Sequence, residues 1–140
     1  MLLLLFLTTI TALNITTYST PGLYKLTPQD YGYAPELLVE ITGGGAGGGV
    51  TNYGGPGSAY VKAIIQTNQN TFALTVGRGG PGGVCRGPNC PGGAGTDSSF
   101  TGNNIQIITT GATSNTPGVY KVSGVKVIYA NNGYPGGFPV

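Results

Sequence analysis

The sequence predicts an all-β fold, a small β-sandwich or jelly-roll-like scaffold that carries long glycine-rich loops. Short segments in which apolar residues alternate with polar ones recur along the chain, and no segment keeps a helical period over a useful length. In addition, 18 of the 27 glycines fall in two stretches, each of which directly follows a strand-like segment. The length of 140 residues is that of one domain.

The predicted strands follow one another between turn signals rich in proline, glycine and asparagine. They cover residues 23–26, 37–42, 58–65, 71–76, 98–100, 105–109, 119–122 and 125–129. We expect segments 58–65 and 71–76 to pair as a hairpin around a polar turn at residues 66–70. The last two segments could form a second, tight hairpin through Ser123-Gly124.

The two glycine-rich stretches, residues 43–57 and 77–95, suit neither a packed helix nor an ordinary sheet. Glycine has no side chain to bury and loses much backbone entropy on ordering. The ordered state open to such segments is an extended helix with three residues per turn, and several of these can lie side by side as polyglycine II. We expect the stretches to be ordered in this way, the alternative being flexible linkers. Neither stretch keeps glycine at every third position, which excludes a collagen triple helix.

Residues 1–13 form an apolar leader with two interpretations, ahead of a single glycine-rich β domain over residues 14–140. One is a cleaved secretory signal, and the other is a strand that is retained and buried on both faces. The apolar run is too short to span a bilayer as a helix. If retained, it needs cover from another sheet, such as that of a neighbouring subunit. Its members are therefore candidates for an assembly strand: Leu2, Leu3, Leu4, Leu5, Phe6 and Leu7.

Charge and composition argue against several classes of function. Only 7% of residues are charged, the net charge is +2, and the basic residues are scattered, so no nucleic-acid footprint and no polybasic membrane patch is present. Histidine, the commonest general base, is absent. We predict no enzymatic activity, no cofactor and no metal site. Low charge with many threonines, asparagines, glycines and tyrosines is typical of extracellular surfaces and fibres.

Two covalent features are consistent with an oxidising, extracellular setting. Cys85 and Cys90 are separated by four residues that include a Gly-Pro turn, which predicts a disulfide bond, with two free thiols as the alternative. The triplet at residues 14–16 is an N-x-Thr sequon, which makes Asn14 a candidate glycosylation site.

Four tyrosines in turn-rich segments are candidates for a contact surface: Tyr31, Tyr33, Tyr53 and Tyr134. A tyrosine offers an apolar body with a polar tip, which suits contacts with sugars or neighbouring subunits. Ordinary packing over exposed backbone is the equally weighted alternative.

The order of motifs in the chain resembles that of a glycine-rich domain family. A strand runs into a glycine loop at residues 38–45, and Gly-Ser-Ala-Tyr-Val follows at 57–61. Leu-Thr-Val-Gly-Arg-Gly-Gly then spans residues 74–80, and Asp-Ser-Ser-Phe spans residues 97–100. Such domains are similar to those of phage tail-fibre adhesin tips and of the extracellular region of anaplastic lymphoma kinase receptors. The resemblance covers about residues 20–108 and implies a β scaffold with packed polyglycine-II helices.

Together these features predict a secreted, non-enzymatic structural protein, a self-assembling subunit of an extracellular filament or surface layer. We expect a homo-oligomer or polymer with no nucleic-acid partner and no membrane span. The alternative is a receptor- or glycan-binding adhesin domain, whose partner would be a surface glycan. Extensive contact between identical chains would distinguish the first function, and an exposed aromatic groove would distinguish the second.

Overall fold

A computed structural model describes residues 14–49, 54–83 and 92–137 of the chain. Within these ranges the structure contains eight β-strands and no helix, which confirms the all-β prediction. The strands lie within two residues of the predicted boundaries. They are β1 (Gly22–Leu26), β2 (Glu36–Thr42), β3 (Tyr60–Gln66), β4 (Phe72–Val76), β5 (Ser98–Gly102), β6 (Ile105–Thr109), β7 (Tyr120–Ser123) and β8 (Lys126–Asn131).

The strands form two antiparallel sheets that pack face to face. The large sheet has the order β1-β4-β5-β6-β7, and the small sheet has the order β2-β3-β8. Strand β2 packs over β5 and β6, and β3 packs over β6. The predicted β-sandwich-like scaffold is therefore confirmed.

The core lies between the sheets and follows the alternation of the sequence. In β3, Val61, Ala63 and Ile65 are fully buried, while the residues between them face outward. Phe72 of β4 stacks on Phe100 of β5 with ring centroids 4.8 Å apart. The buried apolar cluster consists of Leu26, Val61, Ala63, Ile65, Phe72, Phe100, Ile105 and Ile107.

Both predicted hairpins are wrong, because the strands concerned belong to different sheets. Strand β3 is in the small sheet and β4 is in the large sheet. Between these strands the chain passes from one sheet to the other at the buried residue Thr67. Its N–H donates to Pro35 O at 2.9 Å, and its hydroxyl donates to Ala34 O at 2.6 Å, which holds the chain in this path. Strands β7 and β8 are likewise divided between the sheets, with a corner at Gly124 (φ +69°). Alternation of apolar and polar residues indicates which face of a strand is buried, but it does not identify the strand with which it pairs.

Tight turns lie at one end of the sandwich, here called the turn end. Strands β5 and β6 form a two-residue hairpin through Asn103 and Asn104, whose φ values of 40° and 66° are those of a primed turn. The other residues with φ between 45° and 69° are at the same end, in the turns that join β1 to β2, β3 to β4 and β7 to β8: Gly32, Tyr33, Asn68, Gln69 and Gly124.

The opposite end of the sandwich, here called the glycine end, gathers the long connections. Strand β2 ends there beside the start of β3, β4 ends beside the start of β5, and β6 ends beside the start of β7. The chain that leaves β8 also emerges at this end, because Asn131 pairs with Tyr60. Antiparallel pairing thus brings segments that are distant in sequence to one place.

Candidate functional site

The segments at the glycine end pack together as a glycine bundle. Its described members are residues 43–49, 54–59, 77–83, 92–97, 110–113, 117–119 and 132–137. No described residue of the bundle has a φ in the left-handed region. In its described segments the bundle therefore does not use the freedom of glycine to adopt positive φ.

Residues 43–49 form the centre of the bundle and bond to four neighbouring segments. Their N–H groups donate to residues 54–59 and 92–97, and their carbonyl oxygens accept from residues 77–83 and 110–113. The bonds, donor first, are Gly44 N to Thr96 O (2.9 Å), Gly47 N to Gly93 O (2.9 Å), Ala46 N to Pro56 O (3.0 Å), Gly80 N to Gly45 O (2.8 Å), Gly83 N to Gly48 O (2.8 Å) and Ala112 N to Gly44 O (2.9 Å). Equivalent bonds recur every three residues, as the three-residue turn of polyglycine II requires.

The sites where only glycine fits also repeat every three residues. A Cβ added at Gly44 or Gly47 would meet the carbonyl oxygen of Arg78 or Pro81, respectively, closer than 3.0 Å. The same holds for four further pairs: Gly77 with Thr96 O, Gly80 with Gly93 O, Gly92 with Gly47 O, and Gly95 with Gly44 O. These glycines are needed because neighbouring backbones approach too closely for any side chain.

Other glycines of the bundle have room for a side chain. The nearest atom to an added Cβ is 3.7 Å away at Gly45 and 4.0 Å away at Gly79 and Gly82. These distances are ordinary van der Waals contacts. The bundle therefore contains both obligatory and replaceable glycines, which sequence composition does not distinguish.

The chain beyond β6 completes the bundle. Gly57 N donates to Tyr134 O at 2.9 Å, Gly118 N donates to Gly57 O at 3.0 Å, and Gly133 N donates to Gly118 O at 2.8 Å. A Cβ at Gly133 would collide with the carbonyl oxygen of Gly57. Residues 110–137 thus belong to the same structural unit as the two glycine-rich stretches.

Polar side chains at the strand ends join the sheets to the bundle. The buried Ser98 hydroxyl accepts from Gly77 N at 2.8 Å, and Asp97 Oδ1 accepts from Gly111 N at 2.8 Å. Thr96 Oγ1 accepts from Arg78 N at 2.7 Å. These bonds explain why the chain is polar where it enters β5, a role that no sequence motif marks.

The outer face of the small sheet, which points away from the core, carries exposed apolar groups. Leu38 is 57% exposed, and Tyr129, at 55%, packs against Tyr60 with ring centroids 6.0 Å apart. Lys62 Nζ lies 2.8 Å from Glu40 Oε1. The hydrogen bond from Lys62, with its charge, lowers the pKa of Glu40, and the same contact raises the pKa of Lys62.

The small sheet covers only part of the large sheet. Because β3 lies over β6 and β2 lies over β5 and β6, the edge of β2 that has no partner strand among the described residues points toward β4 and β1. Along this edge the inward residues of β2 are only half-buried, as are those of β4 near the glycine end: Leu37, Val39, Ile41, Leu74 and Val76. We call this strip the uncovered strip.

The four candidate tyrosines do not lie together where the structure describes them. Tyr31 is half-buried at the turn end, where its hydroxyl donates to Asn70 O at 2.7 Å and its ring lies 6.3 Å from Phe72. Tyr33 is exposed at the same end, while Tyr134, 73% exposed, is at the glycine end. Tyr53 lies outside the described residues.

Several other candidate residues also lie outside the described ranges. They are the predicted disulfide partners Cys85 and Cys90 and the apolar segment from Leu2 to Leu7. Asn14, the candidate glycosylation site, is described and exposed. In the described ranges no three His, Cys, Asp or Glu side chains converge in a way that could hold a metal ion, and no helix there could cross a membrane.

Comparison with known proteins identifies the family. A family model described as a glycine-rich domain matches residues 22–138, and no curated protein matches the chain significantly. The match includes all eight strands and extends well past residue 108, where the motif resemblance ended. It agrees with the single unit that residues 110–137 form with the two glycine-rich stretches. The chain belongs to the family of glycine-rich domains.

Proposed function

We propose that this protein is a secreted, non-enzymatic structural subunit that self-assembles into an extracellular filament or surface layer. The observation that carries the proposal is the uncovered strip beside the free edge of β2, where apolar side chains of both sheets remain half-exposed. A free strand edge next to apolar surface is a template for pairing with another chain. We propose that this other chain is a second copy of the same protein.

The outer surface of the small sheet supports the same proposal. Leu38, Ile128 and Tyr129 are each more than half exposed. Only 7% of the residues are charged, so little electrostatic repulsion opposes contact between copies. On this face Leu38 lies opposite Ile64, and Tyr129 packs against Tyr60 on the other side of the Lys62–Glu40 ion pair. Exposed apolar patches of this kind can mark sites of protein association.

The glycine bundle suits a structural role. Backbone hydrogen bonds connect its seven described segments. At the obligatory glycines the neighbouring backbones are too close for the segments to shift. Such a body has few side chains that could carry chemistry. It would serve as a stiff block at one end of each subunit.

Assembly can be tested on the purified full-length protein by light scattering over a range of concentrations and by negative-stain electron microscopy. The expected result is a polymer or sheet whose size grows with concentration. A Leu38→Lys variant should weaken assembly, whereas Leu23→Lys, at an 83% exposed site on the large sheet, is the matched control. A monomer at every concentration would contradict the proposal.

A receptor- or glycan-binding adhesin domain is the second candidate function. It is favoured by the 73% exposed Tyr134 at the glycine end and by the resemblance of the motifs to phage tail-fibre adhesin tips. Binding of the protein to a panel of glycans would support it if Tyr134→Ala abolished the signal. The absence of any binding would leave only the structural proposal.

A further inference from the structure

We propose that the apolar segment Leu2–Leu7 of a second copy enters the uncovered strip as a fourth strand of the small sheet, beside β2 and over β4. This inference rests on the proposed assembly and names the two surfaces that make it. The donor lies outside the described residues and corresponds to the second interpretation of residues 1–13, a strand that the mature chain retains. The acceptor is built from described residues of β2 and β4.

Among the four strands at sheet edges, β2 offers the best acceptor. It has seven residues that pair with β3 in unbroken register. Strand β8 has a shift in register opposite Lys62 and Ala63, and β7 has only four residues. Strand β1 has only five residues, and Tyr18 packs on its inner face, where its ring lies 4.9 Å from that of Tyr24.

The uncovered strip has the shape of a strand site. On one side lies the β2 edge, with Leu37, Val39 and Ile41 half-buried. Its floor is the inner face of β4, where Leu74 and Val76 are half-buried. Near the glycine end the floor opens into a depression of about 350 Å³ lined by Pro21, Gly22, Val76, Arg78 and Thr96. A fourth strand would bury these groups and pair the free backbone edge at once.

The donor segment matches this site in length and polarity. Six residues of extended chain span roughly 20 Å, close to the length of β2. The segment carries no charge and is apolar on both faces, with Leu2, Leu4 and Phe6 on one face. One face would cover Leu74 and Val76, and the other would lie beside the exposed Leu38. A donor strand with one polar face could make only one of these two apolar contacts.

The path of the chain allows donation to a neighbour. Residues 14–17, which lead out of the leader, are all exposed. The acceptor edge of β2 and the donor segment are different surfaces, so each copy can accept one strand and donate another. Such a contact is head-to-tail and grows into a filament unless a rotation closes a ring.

Photo-crosslinking on the full chain tests this inference directly. The residue p-benzoylphenylalanine replaces Leu4, and ¹⁴N- and ¹⁵N-labelled chains are mixed, assembled, irradiated and digested. The expected products are mixed-isotope peptides that join position 4 to Leu37, Val39 or Leu74. Crosslinks to these residues within one isotope only would show insertion into the same chain, and crosslinks to the large-sheet outer face would show another site. Either result would overturn the inference.

A deletion separates this inference from the proposed function. A variant without residues 1–7 should fold to the same circular dichroism spectrum but remain monomeric, and adding full-length protein should recruit it only at filament ends. Polymers that still form from the deletion variant would overturn the inference while leaving self-assembly intact. Full-length protein that never assembles would instead overturn the proposed function itself.

Discussion

The backbone nitrogen of Gly47 donates a 2.9 Å hydrogen bond to the carbonyl oxygen of Gly93. This bond joins the two glycine-rich stretches, which follow strands of different sheets. A Cβ at Gly92, next to this contact, would collide with the carbonyl oxygen of Gly47. The close approach that only glycine permits therefore ties the two sheets together at one end of the sandwich.

Replacing Gly44 with alanine should destabilise the protein strongly. The added Cβ would meet the carbonyl oxygen of Arg78, which belongs to backbone and cannot rotate away. Overpacking of this kind costs about 1–3 kcal/mol of unfolding free energy, or more where backbone must move. Chemical denaturation of Gly44→Ala measures the loss. The neighbouring Gly45→Ala is the control, because its nearest atom is 3.7 Å away.

The control should be neutral or stabilising by about 0.4–1 kcal/mol, since alanine restricts the unfolded chain more than glycine does. Equal losses at the two positions would contradict the assignment of obligatory glycines.

The type of the fold could be predicted from the sequence, but the pairing of strands could not. The alternation at residues 58–65 identified a strand, and the structure shows that Val61 and Ile65 are on its buried face. The crossing after Gln66 depends on bonds from Thr67 to Ala34 and Pro35, which are more than thirty residues away in sequence. No local pattern predicts contacts of that range.

The hairpin between β5 and β6 should depend on the residue at position 104. Asn104 has φ 66°, a conformation that costs most L-residues about 1–2 kcal/mol. Asn104→Ala should therefore lower the unfolding free energy by about 1 kcal/mol, whereas Asn104→Gly should leave it unchanged or raise it. Thermal unfolding of both variants checks this, and an Asn104→Gly variant less stable than Asn104→Ala would refute the turn assignment.

Tyr31 should contribute to stability rather than to binding. Its hydroxyl donates to Asn70 O at 2.7 Å, and the net value of such a bond is about 0.5–1.5 kcal/mol. Tyr31→Phe should lose that amount, and Tyr33→Phe, at an exposed side chain, should lose nothing measurable. Urea denaturation of the two variants distinguishes them, and identical midpoints would count against this role.

Stability should fall in acid through Glu40. Its pKa is lowered in the folded state from an ordinary value of 4.5, so its contribution is present above pH 4.5 and is lost as the pH falls through the folded value. Asp30 titrates in the same direction, because the backbone N–H and the hydroxyl of Thr27 lower its pKa. The thermal unfolding midpoint should therefore drop between pH 7 and pH 3 in both proteins, but by less in Glu40→Gln than in the wild type. A variant with an unchanged difference would exclude this contribution.

Less of the candidate site than of the fold could be predicted. The glycine density predicted close packing of extended segments, and the apolar leader allowed two interpretations, a cleaved signal or a retained strand in need of cover. The acceptor could not be predicted, because the uncovered strip exists only through the offset of a three-stranded sheet on a five-stranded one. The role of Ser98 was also hidden, since a serine in a strand has no pattern that marks a bond to Gly77 N.

The most direct test of the account is the mass of the purified full-length protein by light scattering, read beside its intact mass by mass spectrometry. Assembly through the donated strand predicts an intact chain that retains residues 1–7 and scatters as a concentration-dependent polymer, many times its monomer mass of 14.1 kDa. An intact chain that scatters at 14.1 kDa at all concentrations would contradict self-assembly. A mature chain that begins at Leu13 or later would contradict the donated strand.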